Sequence, residues 1–215
     1  MMRRDVIYDM FPDCFATSSR AVQEAQMEWI ASVFRTAERS PDPSAPRTTL
    51  RSRAASLLEV LKSCLTSERP QLRVLACGLL ASPLLCDFGS MPFDPLAETQ
   101  RLSTDDDVAV RSAASRTLGV LVKSTIFDPV SSPSSIGTFD DLLMSPHSKR
   151  LLEAVLLALI PRCSDVDPVV NSACWSLANC CDVLTTQTQS VVSSRVDEAA
   201  TDHSLYEQNR GAPRL

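Results

Sequence analysis

Eight cysteines, two histidines and a run of three aspartates are the residues of this chain whose types could do chemistry. A cysteine beside a histidine makes a nucleophile with its base, or part of a zinc site; clustered carboxylates make a calcium site. The spacing supports none of these. No two cysteines stand as Cys-x-x-Cys, and neither His147 nor His203 lies at ligand spacing from a cysteine pair. Neither histidine has a companion Asn or Asp in a recognisable signature, and there is no phosphate-cradling glycine loop and no Gly-x-Ser-x-Gly. Asp105, Asp106 and Asp107 are consecutive, so their side chains point apart, and no glycine-containing calcium loop surrounds them. They suit a helix N-terminus, where the macrodipole favours acid, with Lys123 at the other end. Cys64, Cys77, Cys174 and Cys180 lie inside apolar helical stretches, as reduced cysteine used as a small hydrophobe does. The expectation is a protein of the cytoplasm, the nucleus or both, with no catalytic residue, cofactor or metal.

Composition narrows the class further. The 215 residues are 44% hydrophobic and 22% charged, as in ordinary globular chains, and five glycines suit helices better than turn-rich β structure. The net charge of −5, with Arg3-Arg4 and Lys149-Arg150 only isolated pairs, argues against nucleic acid as a partner. Asp5, Asp9 and Asp13 interrupt any apolar leader, and the longest apolar run, 154–161, is far too short to span a bilayer. No membrane partner is expected.

What remains is organisation. Leu72-Arg73 through Leu80 shares a frame with Val110-Arg111 through Leu118 and with Val169-Val170 through Leu177. Each frame has an apolar residue, a small one four positions on (Ala76, Ala114, Ala173) and Leu four further. The first offset is 38 residues and the second 59, the surplus matching a Ser/Pro-rich insertion. A helical unit recurring at such a period marks a stacked array whose repeats bury one another's apolar faces. The fold expected is all-α: an α-solenoid of antiparallel helix pairs.

Proline at a first helical position, after a capping Ser or Asp, marks helix starts at Asp94-Pro95, Ser145-Pro146 and Asp167-Pro168. Asp128-Pro129 opens a serine-rich stretch and starts no lasting helix. The periodicity predicts helices near 19–38, 49–66, 70–80, 95–102, 108–123, 147–162 and 168–184. The helix at 147–162 is apolar around most of its circumference and is expected to lie between neighbours. Three regions follow: 1–48, a helix and a Pro-rich linker; 49–184, the repeats, with a loop at 126–146; and 185–215, a polar tail expected to be disordered beyond at most a weak helix near 187–200.

Asp107 to Gly119 resembles a HEAT repeat, and Asp167 to Asp182 an armadillo repeat, most closely at Ala173-Cys174-Trp175-Ser176-Leu177-Ala178-Asn179. The resemblance covers roughly 50–184; a narrower one is to the HEAT repeat-containing protein 6 type, which brings no chemistry with it. It implies a superhelical binding scaffold. In armadillo proteins like importin-α, the Trp and the Asn four residues later face a peptide groove; here these are Trp175 and Asn179. On an ideal helix, Ser172, Trp175, Asn179 and Asp182 share a stripe beside a core face of Val170, Ala173, Cys174, Leu177, Cys181 and Leu184. Arg116 and Gly78 take the tryptophan's place in the two earlier frames, so the ladder stands in one repeat only. Trp175, Asn179, Asp182 and Arg116 are the candidate protein-binding residues. Two uses of the Trp/Asn pair stay open: capturing an extended peptide, as a nuclear-transport adaptor would, or packing against a neighbouring repeat. The chain ends soon after its best repeat, as a portion of a longer solenoid would.

Overall fold

The computed structural model describes residues 11–39, 48, 50, 54–82, 84–85, 91–126, 146–186 and 189. These residues are helical wherever they are regular, with no strand among them. The helices are α1 (Phe11–Thr17), α2 (Arg20–Arg39), α3 (Ala54–Leu65), α4 (Pro70–Leu80), α5 (Pro95–Leu102), α6 (Val108–Ile126) and α7 (Pro146–Leu159). A 3-10 turn at Ile160–Ser164 leads into α8 at 167–186. The Pro-rich linker, most of the 126–146 loop and nearly all of the 187–200 segment lie outside the described residues.

Asp94 caps as expected, the Asp167 start is shifted, and Ser145 lies outside the described residues. Asp94 caps α5: its Oδ1 accepts the N–H groups of Leu96 (2.9 Å) and Ala97 (3.4 Å), with Pro95 at the first position. Asp107 does the same for α6 through Ala109 and Val110. At α8 the expected cap is displaced by one residue. Asp167 is already helical, and the Val166 carbonyl receives the first backbone bonds, from Val169 and Val170. Asp165, one residue earlier, is drawn away to an arginine described below.

The core forms around these helices in two connected clusters. Met27, Ile30, Phe34 and Ala37 recur at helical spacing on α2 and bury against Leu57 and Leu61 of α3 and Leu79 of α4. The N-terminal helices therefore share one core with α3 and α4. Phe15 of the short α1, a helix not anticipated from the sequence, joins the same cluster. α6 spans both clusters: Val110 and Ala114 belong to the first, Leu118 and Val122 to the second, with Val155 and Leu159 of α7 and Ala173, Cys180 and Val183 of α8. Each large buried side chain contributes about 1.5–3 kcal/mol, so these stripes supply most of the stability.

Two expectations about faces are corrected. The α8 core stripe is Val169, Ala173, Ser176, Cys180 and Val183, while Cys174, Cys181 and Leu184 are exposed. Apolarity does not choose the face here, because α8 carries Leu, Val or Cys on several sides. Close approach chooses it: Ser176 lies against Gly119 of α6, where an added Cβ would stand 2.6 Å from the Ser176 Cβ. Likewise α7 buries one side only, and its Leu157 is 68% exposed, with Ile160 and Val166 exposed after it.

The two helical glycines among the described residues predict opposite outcomes. A Cβ at Gly78 would meet nothing within 4 Å, so Gly78→Ala should stabilise by about 0.5–1 kcal/mol through helix propensity. Gly119→Ala should cost about 1–3 kcal/mol, because α6 and α8 must move apart. Urea unfolding of both variants checks this; equal effects would contradict the crossing described.

Candidate protein-binding surface

α4, α6 and α8 lie side by side, held by two kinds of cross-link that repeat with the sequence frame. The first is ionic. Arg73, at the head of α4, places Nη2 2.7 Å from Asp105 Oδ1, ahead of α6. Arg111, its equivalent at the head of α6, grips Asp165 ahead of α8 through two parallel bonds, Nε to Oδ2 at 2.9 Å and Nη2 to Oδ1 at 2.8 Å. Each arginine also donates to a carbonyl six residues before it, Ser67 O for Arg73 and Asp105 O for Arg111. Each thus fastens its own helix start to the next one.

The second link is a hydroxyl-to-carbonyl bond in the buried seam. Thr117 Oγ1 donates to Cys77 O at 2.9 Å, joining α6 to α4, and Ser176 Oγ donates to Ser115 O at 2.7 Å, joining α8 to α6. Donors and acceptors occupy equivalent frame positions in both pairs. Since the ionic links join the heads and the hydroxyl links join positions further along, the three helices run in the same direction.

Magnitudes separate the roles of these bonds. A hydroxyl bond contributes about 1 kcal/mol net. A half-buried ion pair gains little over its desolvation cost, yet removing one partner leaves the other charge uncompensated. The side chains of Arg111 and Asp165 are only 15% and 12% exposed. The links therefore set the register of the row, and apolar burial provides the drive.

The carboxyls respond as this geometry requires. Asp165 is held down at about 2, chiefly by its bonds from Arg111 and next by the Val166 N–H, against the opposing effect of burial. At Asp105 burial pushes upward, but the Arg73 bond, the Asp107 N–H and the charges of Arg73 and Arg101 together leave the carboxyl below its ordinary value. Burial lifts the Cys64 and Cys77 thiols to about 12 and Cys180 to about 11. Such thiols are poor nucleophiles at neutral pH.

The structure brings Arg116 and Trp175 together: the guanidinium carbon stands 5.0 Å from the centre of the indole ring, in cation–π range. Trp175 remains 42% exposed; Asn179 is half-buried one turn further along α8, and Asp182 is exposed. The outer side of the row thus presents all four sequence-predicted residues. Arg73, Arg111, Thr117 and Ser176 were not singled out, although Arg73 and Arg111 share a frame position and their repetition was there to be seen. Among the described residues no three His, Cys, Asp or Glu side chains gather as a metal-ligand set, and no helix is long and apolar enough to cross a membrane.

Comparison with known proteins gave no match to a family model, a curated protein or a solved structure.

Stability should fall at both ends of the pH range. The Asp165 contribution is present above about pH 4, the unfolded carboxyl value, and is lost as pH falls through about 2. Cys64 and Cys77 contribute below about pH 9, and that contribution is lost as pH rises towards about 12. Denaturant midpoints across pH 2–11 should show both limbs, with the acid limb shallower in Asp165→Asn. An identical acid limb in that variant would remove the assigned role of Asp165.

Proposed function

We propose that this chain is a non-catalytic protein-binding scaffold, built as a short α-solenoid of the HEAT/armadillo type. One observation carries the reading: both ends of the hydroxyl links, and the arginines of the ionic links, stand at equivalent positions of the sequence repeat, with the Asp165 carboxylate one residue out of frame from Asp105. A row of helices joined in register offers an extended side surface with several contact points, suited to another macromolecule more than to a small substrate. The net charge of −5 favours a protein over nucleic acid. The cytoplasm and nucleus suit its unpaired thiols, with seven described cysteines free of disulfides.

A second reading rests on the exposed indole. Trp175 offers apolar area and Asn179 an amide one turn away, the pair an adaptor would use to hold an extended peptide. Arg116 over the ring gives that indole a structural use as well.

The test is affinity capture with the full chain, followed by hydroxyl-radical footprinting of the complex. Protection should fall on outward positions of α4, α6 and α8, including Gln71, Arg116 and Trp175. Protection confined to α3, α5 and α7, or no partner held in stoichiometric amount, would overturn the scaffold. For the second reading, joint Trp175→Ala and Asn179→Ala should abolish capture with a melting shift of only about 2–4 °C. A much larger loss of stability would assign the pair to packing.

A further inference from the structure

The scaffold row carries a cleft that the repeat frame does not announce. α4 forms its floor, α2 one wall and the start of α6 the other. Two adjoining hollows of about 300 and 320 Å³ share Val74 and Leu75 and run along α4 from Pro70 to Ser82. At 1.5 Å per residue that is roughly 18 Å, the reach of five or six extended residues.

Its ends differ in charge. In the first hollow Glu24 and Glu28 of α2 face Asp107 across the half-buried Val74 and Leu75, and no lysine or arginine lines it. Glu24 shares its charge with Arg20 at 3.2 Å, and Asp107 is engaged as the α6 cap. Glu28 makes no ion pair among the described residues and is exposed. The second hollow is mixed: Arg35 and Glu38 flank Leu75 and Gly78, and Glu38 accepts the Ser82 hydroxyl. Gly78 stands where the later frames carry Arg116 and Trp175, and its missing side chain leaves the floor open.

We propose that this cleft binds a basic peptide segment of a partner protein. A Lys or Arg side chain sits between Glu24, Glu28 and Asp107, and the adjoining apolar side chain rests on Val74 and Leu75. The open floor at Gly78 takes the next residue. Charge selects the occupant: three carboxylates line one end, only Glu24 of them in an ion pair among the described residues, and this excess attracts a cation and repels an acidic peptide. The mixed end adds direction, since Arg35 disfavours a second cation there. The proposal rests on the scaffold reading and names the partner's chemistry at a site distinct from Trp175 and Asn179.

The probe is a positional-scanning array of heptapeptides, each with Lys, Arg or Glu at one fixed position and Leu or Ile beside it, titrated against the full chain. Peptides with Lys or Arg should bind and those with Glu should not, and raising salt from about 0.05 to 0.5 M should weaken binding. Gly78→Trp, which enters open space, and Glu28→Lys, on an exposed turn, should each lower affinity on the order of tenfold with unchanged helicity. Trp175→Ala should leave it within about twofold. An array with no preference for Lys or Arg over Glu would overturn the proposal, as would selected peptides that bind both cleft variants like the parent. Binding lost only in Trp175→Ala would overturn the cleft and leave the scaffold standing. Failure of the scaffold itself reads out separately, as absent protection on the captured complex.

Discussion

The paired bonds from Arg111 to Asp165 are the constraint on which the rest of the structure turns. They hold the start of α6 against the start of α8, at the point where the long insertion between repeats could otherwise let α8 slide. A slip of one turn would leave the half-buried Arg111 guanidinium without its carboxylate. With the heads fixed, Ser176 meets the Ser115 carbonyl and Gly119 admits the contact. The same arrangement one step earlier, Arg73 with Asp105 and Thr117 with Cys77 O, places α4 against α6. Polar pairs define position, and the apolar stripes behind them provide the driving force.

The surface follows from that register. Because equivalent residues of α4, α6 and α8 are aligned, the outward positions Gly78, Arg116 and Trp175 belong to one side of the row. Their different chemistry divides that side. An open glycine floor flanked by Arg35 and Glu38 lies at the α4 end, and a cation stacked on an indole at the α6–α8 end. The side chains at this one frame position differ while the hydroxyl links in the seam behind them are alike.

Much of the fold could be read from local chemistry. α5 runs from Pro95 to Leu102 as its capping pair and periodicity indicate, because Asp94 acts within three residues of itself. The all-helical character follows from periodic apolar stripes and scarce glycine. Features fixed by distant partners were not legible. The inward face of α8 depends on Gly119, 57 positions before Ser176, so the helix's own Cys and Leu pattern pointed to a face rotated by one residue. Exposure of Leu157 could not be foreseen, since a helix apolar on several sides does not declare which side finds a neighbour. At the candidate site, the armadillo resemblance points to Trp175 and the frame to Arg116, but their stacking depends on the approach of α8. The acidic cleft escaped notice because its walls, Glu28 and Asp107, come from widely separated segments.

The most direct measurement is a double-mutant cycle on Arg111 and Asp165, using Arg111→Ala, Asp165→Ala and the pair, with unfolding free energies from urea titration. If the bond sets the register of the row, the two changes should be strongly non-additive, with the double variant scarcely worse than either single one. Additive losses, within about 0.5 kcal/mol, would show that the two side chains do not meet, and the aligned row would lose its physical basis.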